Sequence, residues 1–351
     1  MSLSIECLSP EVEADYENFV RSIPTASFCA SLGYRNLLKN FLEAEDHYFV
    51  ARNKEGRIVG VLPSFIKEVP GKGSVANSLP FYGSHGGVIA ENPQGEVVGA
   101  LLTYFRRFVA ERGCVSSTVI SSPFDSDLSQ YEACTGFTAS DSRIGQMTPL
   151  GSAGEDPRAA VMHALHHKTR NMVRKAEKLG ITVTSDQQQD GFAFLTQTHA
   201  NNMAEIGGLA KPAHFFKLVE KEFKYNADYR LYIAWLEGVP IAALLLFYFN
   251  GTVEYFTPVI VKEYRSSQPL SLLIYYAMVD AVVRGFKWWN WGGTWLTQDG
   301  VYQFKRSWGA IDMPYRYFTT VLDERVLTSS KNELLSDYPY FYVAPFTLLK
   351  T

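Results

Sequence analysis

Residues 229–261 read YRLYIAWLEGVPIAALLLFYFNGTVEYFTPVIV. Two good turn dipeptides, Glu237–Gly238 and Asn250–Gly251, interrupt a long run of aliphatic, β-branched and aromatic residues. Turn signals of that kind between apolar runs specify hairpins, so the segment predicts three consecutive strands. Its most apolar stretch, VPIAALLLFYF, is too short to cross a bilayer, and no transmembrane segment is expected.

The elements on either side extend this pattern. Helices are expected at 158–179, 190–204 and 212–224, ahead of the strands. A loop, KEYRSSQPLS, an amphipathic helix at 270–284 stopped by Gly285, and the strand KWWNWGG come after them. The first half runs in a similar order. Short helices are expected at 11–21 and 31–42, a hairpin across 47–53 and 56–69, and a strand with a glycine-rich bend at 74–90. A helix at 93–113, with Val97, Val98, Leu101, Leu102, Phe105, Phe108 and Val109 at helical spacing, and a strand at 114–123 follow. The polar stretch GSAGEDP (151–157) reads as a linker. Helices, antiparallel strands, a helix and a strand, given twice, outline two tandem GNAT-like α+β domains, 1–150 and 151–351, each a mostly antiparallel mixed sheet flanked by helices.

With 351 residues, 46% of them apolar, the chain is long enough for two domains. A formal net charge of −3 argues against a nucleic-acid coat or a polybasic membrane anchor, and no DNA partner is expected. Cys7, Cys29, Cys114 and Cys134 form no CxxC pair and no zinc-ligand spacing, which reads as free thiols in a reducing compartment. The N-terminus lacks a basic region followed by an apolar run, so a cytoplasmic protein without a signal peptide is expected.

Chemistry then has to be local. In 157–180, Val161, Leu165, Met172, Val173, Ala176 and Leu179 make an apolar stripe, and His163, His167, Arg170, Arg174 and Lys178 make the opposite face, flanked by Lys168 and Lys175. Like charges this dense repel by a few tenths of a kcal/mol per adjacent pair, roughly, and an anionic ligand would offset that; a solvated face explains them as well. The histidines have no carboxylate at matching spacing, and metal binding is not expected. No GxSxG or thiol-enzyme pattern occurs, which favours direct transfer between two bound substrates. The stretch 291–309, WGGTWLTQDGVYQFKRSWG, sets Lys305 and Arg306 in aromatic surroundings. Read as strand neighbours, they point to opposite faces. They are either snorkelling surface cations or the lining of an anionic site.

Four segments together resemble the Fem-type (FemABX-like) aminoacyl transferases and their relatives in envelope-polysaccharide gene clusters: KTRNMVRKAEKLGITV (168–183), EYRSSQPLSLLIYYAMVDAVVRGFKWWNWGG (263–293), GVYQFKRSWGA (300–310) and LPFYGSHGGV (79–88). The resemblance implies two GNAT-like domains, with the main site in the second. It makes Lys305 the catalytic lysine of a closing Phe-Lys-Arg motif, and it brings Lys168, Arg170, Asn171, Arg174 and Lys175 to a phosphate-bearing substrate. Tyr82 and His85 fall in the first-half cleft segment, and Trp291, Gly292 and Gly293 in the strand and Gly-Gly run. No permanently bound cofactor is implied; aminoacyl-tRNA or acyl-CoA would be the co-substrate. The partner would be an envelope glycan or nucleotide-linked precursor, with tRNA as a candidate. The long coiled-coil arm of some members has no counterpart here.

The reaction expected is acyl or aminoacyl transfer to an amine of a cell-envelope glycan or peptidoglycan precursor. The alternatives are acetyl- or acyl-CoA-dependent N-acylation of an amino sugar and a non-catalytic anionic-glycan module. Aligning two reactants supplies roughly 7–11 kcal/mol, and one donor to the oxyanion about 3–4 kcal/mol, a role that suits Lys305. Glu254, in the strand where GNAT enzymes often keep a base, is one candidate base beside Glu205, Asp299 and Tyr302. In the loop before the 270–284 helix, Arg265, Ser266 and Ser267 replace the glycines of a CoA-binding loop; no glycine occurs from 252 to 284. Arg306 is read as structural or phosphate-directed, and Tyr255, Tyr264, Tyr302, Trp291 and Trp295 as stacking surfaces or core.

Overall fold

The structure, a computed structural model, describes residues 3–81, 85–152, 154, 156–185, 189–295 and 297–350. In chain order the elements are β1 (Ser4–Cys7), α1 (Glu13–Ser22), α2 (Leu32–Leu42), β2 (Glu45–Asp46), β3 (Phe49–Arg52), β4 (Ile58–Leu62), β5 (Phe65–Val69), β6 (Gly73–Asn77), β7 (Ile89–Ala90), α3 (Glu96–Glu111), β8 (Cys114–Ile120), α4 (Ser129–Cys134) and β9 (Ala139–Pro149). Then come α5 (Pro157–Ala164), α6 (His167–Lys178), β10 (Thr182–Ser185), α7 (Gln189–Glu205), α8 (Ala213–Glu222), β11 (Tyr229–Leu236), β12 (Val239–Phe249), β13 (Thr252–Ile260), α9 (Pro269–Val283), β14 (Trp288–Thr294), α10 (Asp299–Arg306), β15 (Ile311–Val321) and α11 (Lys331–Asp337). This is an α+β fold of mixed sheets flanked by helices. Among the described residues no helix is long and apolar enough to cross a membrane.

One unit comprises Met1–Gly145 with Met313–Thr351. It holds a four-stranded sheet, β1-β3-β4-β7, and the strand series β15-β8-β6-β5-β2. The expected second hairpin arm, 56–69, divides into β4 and β5 at Pro63, which has no N–H to give a ladder. The expected strand at 74–90 is two strands, β6 and β7, with the glycine-rich bend between them. Helix α3 buries Val98, Leu101, Leu102, Phe105 and Val109 of the predicted stripe, while Val97 and Phe108 are partly buried against the same core. Residues 313–351, expected with the second domain, pack in this unit because β15 pairs antiparallel with β8 from Tyr317–Ile120 to Val321–Ser116.

The other unit, Gln146–Asp312, carries the strand order β10-β11-β12-β13-β14, followed by the last residues of β9, from Gln146 on. The turn between β11 and β12 has φ +51° at Glu237 and +79° at Gly238, positive at both central residues as a tight hairpin requires. Helix α9 is apolar nearly all round, and such a helix has to be covered. Leu272, Leu273, Ile274, Ala277, Met278 and Ala281 are buried, and Trp289, Trp291 and Trp308 belong to the same core. Pro269 opens the helix, and Gly285, at φ +83°, follows its end.

Two expectations fail here. The helix predicted at 158–179 is broken. Leu165 and His166 are extended (ψ +148° at both), so Leu165 stays in the core while the chain steps sideways. The Ser307 carbonyl takes the His166 N–H at 3.0 Å, which replaces the helical bond lost at the break. Residues 299–306 form helix α10 instead of a strand, with Phe304 and Trp308 one turn apart against the core. Lys305 and Arg306 therefore lie about 100° apart on a helix and not on opposite strand faces.

Candidate active site

The two central strands of the second unit run parallel only briefly. Thr252, Val253 and Glu254 of β13 pair with Trp288, Trp289 and Asn290 of β14. Pairing stops there, yet β13 continues to Ile260 and β14 to Thr294. Side chains explain the separation. At the far end of β13, Asn202 of α7 imitates a strand neighbour: its Nδ2 donates to Ile260 O (2.9 Å) and its Oδ1 accepts from Ile260 N (3.0 Å). At the far end of β14, Thr294 Oγ1 donates to Gln146 Oε1 (2.8 Å), and Trp291 Nε1 donates to Thr148 Oγ1 (2.9 Å). Each strand is held to a different neighbour once the two have parted.

Glu254 is the last paired residue before the gap. Burial pushes its carboxyl up to about 7, and a hydrogen bond from Asn290 partly opposes this. Asn290 is itself buried, and its Oδ1 accepts from Gly292 N at 2.8 Å, which leaves its amide free to serve Glu254. Beside Glu254, β13 carries a bulge: the register with β12 jumps from Leu245–Thr257 to Leu246–Tyr255 and leaves Phe256 over.

Lys305 lies on the other side of the Gly-Gly run. It is 6% exposed, and its ammonium donates to Gly292 O (3.2 Å), Gly293 O (3.0 Å) and Thr294 Oγ1 (2.8 Å). All three N–H groups are therefore committed to β14. Burial pushes the amine down to about 8. Gly292, at φ +72°, turns its carbonyl into reach of the lysine, a conformation that costs a side-chain-bearing residue more than glycine. A chain of contacts thus joins Glu254, Asn290, Gly292 and Lys305.

The other expected residues are dispersed. Lys168, Asn171, Arg174 and Lys175 are exposed on α6 and Arg170 is half-buried, with Thr169, Val173 and Ala176 on the buried side. Among the described residues no carboxylate pairs with any of these cations; Lys175 Nζ donates to Ser266 O at 2.8 Å. Thr169 Oγ1 donates to Ser307 O (3.1 Å), which docks the start of α6 on the end of α10. Arg265 pairs with Glu205 at 2.5 Å and Lys262 joins it at 3.4 Å; these cations hold the Glu205 carboxyl below its usual range. Tyr302 donates to Asp312 (2.8 Å), and Arg306 donates to Ala310 O (3.0 Å). Tyr255 packs on Trp289 and Trp291, with Trp291 4% exposed, so these rings are core; Tyr264 lines the same core from its edge. Asp299 opens α10. In the first unit, His85 donates to Pro80 O (3.3 Å), and burial pushes its imidazole down to about 4. Tyr82 lies outside the described residues.

Residues 164–306 match the family described as Acetyltransferase (GNAT) domain. No curated protein matches the chain in sequence. Among solved structures it is similar to FemX (13% identity, TM-score 0.72, over 92% of this chain and 98% of that one). It is also similar to a tandem GNAT protein from the clavulanic acid biosynthesis pathway (14%, 0.55, 91% and 98%) and to L-PGS from Bacillus licheniformis (11%, 0.51, 84% and 92%). The chain has the fold of Fem-like and tandem GNAT proteins. At these identities the likeness is one of fold.

The sequence reading missed Asn290, Asn202, Gln146 and Thr294. Asn290 carried a signal: in KWWNWGG it is the one amide among tryptophans, and a lone buried amide needs partners. The other three gain meaning only through neighbours distant in the chain.

Proposed function

We propose that this protein transfers an acyl or aminoacyl group from an activated ester or thioester donor to the amine of a cell-envelope glycan or peptidoglycan precursor. Glu254 carries the reading. It is a carboxyl without a counter-charge among the described residues, held by Asn290 where two parallel strands part, with its proton affinity raised close to neutrality. A base poised there takes the proton from an attacking ammonium or amine. The amine nitrogen then bonds to the donor carbonyl carbon. The tetrahedral oxyanion collapses, the carbon–oxygen or carbon–sulfur bond breaks, and the proton leaves with the alcohol or thiol. Lys305 serves this step through β14: it sets the Gly292 and Gly293 peptides, and an arriving oxyanion takes the place of Gly292 O, its longest acceptor.

The connection before α9 favours a donor other than acyl-CoA. It holds no glycine, Pro269 at the helix start has no N–H to offer a pyrophosphate, and the cations Lys262 and Arg265 are paired with Glu205. Aminoacyl-tRNA fits better, with the cations of α6 meeting its phosphates. The family match over 164–306 favours the second reading, CoA-dependent N-acylation of an amino sugar.

The test supplies aminoacyl-tRNA or acetyl-CoA with amino-sugar and peptidoglycan-precursor acceptors and reads acylated amine by mass spectrometry. Product from one donor is expected, and no product from any pair overturns the reading. Lys305→Met is expected to lower kcat about 100-fold with KM unchanged; full turnover in that variant would confine Lys305 to a structural role.

A further inference from the structure

A second half-buried amine lies on the Glu254 face of the sheet. Lys211 lies in the α7–α8 connection, just before Pro212, and its ammonium sits 5.1 Å from the centroid of the Phe256 ring. Phe256 is the bulged residue of β13, two positions from Glu254, a strand distance of about 7 Å. The Phe256 ring packs edge-on against Phe247 (4.9 Å), and Phe247 is the register partner of Glu254. Directly opposed residues of an antiparallel pair share a face, so Glu254 and Phe247 look the same way, the Phe256 ring joins them through its contact with Phe247, and Lys211 lies over Phe256.

The lysine is placed with some care. Its backbone N–H donates to Nε2 of His199 at 3.0 Å, which makes that imidazole the Nδ1–H tautomer. His199 is buried, its ring is set edge-on to Phe216 at 5.8 Å, and burial pushes it down to about 4, so it stays neutral. The Lys211 ammonium has no ion-pair partner among the described residues, and burial pushes it down to about 8. A desolvated cation resting on an aromatic face is short of a counter-ion.

We propose that Lys211 selects the acceptor: the amine deprotonated by Glu254 belongs to a molecule that also bears an anionic group, a carboxylate or a phosphate, and the Lys211 ammonium takes that group. The inference rests on the reading of Glu254 as the base. Lys211 would then set specificity without touching the bond-making atoms, which predicts a change in binding and KM rather than in kcat.

The experiment compares muramic acid (carboxylate), glucosamine 6-phosphate (phosphate) and glucosamine (neutral apart from its amine) as ligands of the full-length protein. Binding is read by calorimetry on the wild type and on Lys211→Met and Lys211→Arg. The expected result is tighter binding of at least one anionic amine than of glucosamine, by about tenfold or more, lost in Lys211→Met and largely kept in Lys211→Arg. Which of the two binds identifies the anion. Equal affinity for all three amines, unchanged affinity in Lys211→Met, or no binding of any of them at 10-millimolar order overturns the inference. Glu254→Gln separates the two claims. Lys211-dependent binding combined with full turnover in Glu254→Gln defeats the base and leaves the anion site. Loss of turnover in Glu254→Gln without discrimination by Lys211 does the reverse.

Discussion

The two units handle buried charge differently. In the first, Arg35 is buried and donates to both Asp46 and Glu13, and buried Arg143 pairs with Asp141. Its desolvated carboxyl, Asp125, is pushed up to about 6 but receives the Ser122 N–H at 2.9 Å and a hydrogen bond from Tyr131. The second unit pairs its half-exposed Asp280 with Arg230 and Arg284. Glu254, Lys305 and Lys211 have no ion-pair partner among the described residues, and all three, like Asp125, are shifted toward neutral pH. Paired charges hold a fold in register. Desolvated and unpaired ones cost stability and are kept where a ligand or a proton supplies the missing partner.

That contrast can be broken in three ways. The largest effect is expected from Glu254→Gln, which should lower kcat/KM by about 10²–10⁴-fold while the melting temperature holds or rises. In the wild type, kcat/KM should climb with pH through about 7 as the carboxylate forms. The stability slope has the opposite sense. A carboxyl whose folded affinity for the proton is raised stabilises below the ordinary glutamate range, and that contribution disappears as pH rises through about 7. Denaturation curves between pH 4 and 8 should therefore flatten in Glu254→Gln; an unchanged slope would show that Glu254 is an ordinary surface acid.

Arg35→Ala should act on the other axis. It strands Asp46 without its buried partner and should cost about 3–5 kcal/mol of stability in urea unfolding, with kcat per folded molecule unaltered. If turnover per folded molecule fell as well, the first unit's charges would not be purely structural. The smallest effect is expected on α6. Arg174→Gln removes an exposed cation with no carboxylate partner among the described residues, so stability should move by less than about 0.5 kcal/mol. KM for a phosphate-bearing substrate should rise several-fold and its salt dependence weaken by about one ion. A KM indifferent to salt in both forms would return α6 to a solvated face.

Local chemistry was legible in the sequence. The turns at Glu237–Gly238 and Asn250–Gly251, the buried stripe of α3, and the start of α9 at Pro269 and its stop at Gly285 each depend on residues a few positions apart. Glu254 and Lys305 could be nominated from residue type and resemblance. Their surroundings could not: Asn290 comes to Glu254 by strand pairing, and Gly292 and Thr294 come to Lys305 by the fold of α10 against β14.

What the sequence by itself determined is where the chain bends, which segments are apolar enough to be covered, and that five lysines and arginines gather along 163–178. Only the tertiary structure decided that the helix over 158–179 breaks at Leu165, that 299–306 winds into a helix, and that residues 313–351 return to the first unit. The reason is range. A turn or an apolar stripe is set by neighbours in sequence, whereas desolvation, a replaced hydrogen bond such as His166 to Ser307, and the proton affinity of a buried group come from atoms that the chain brings together from afar.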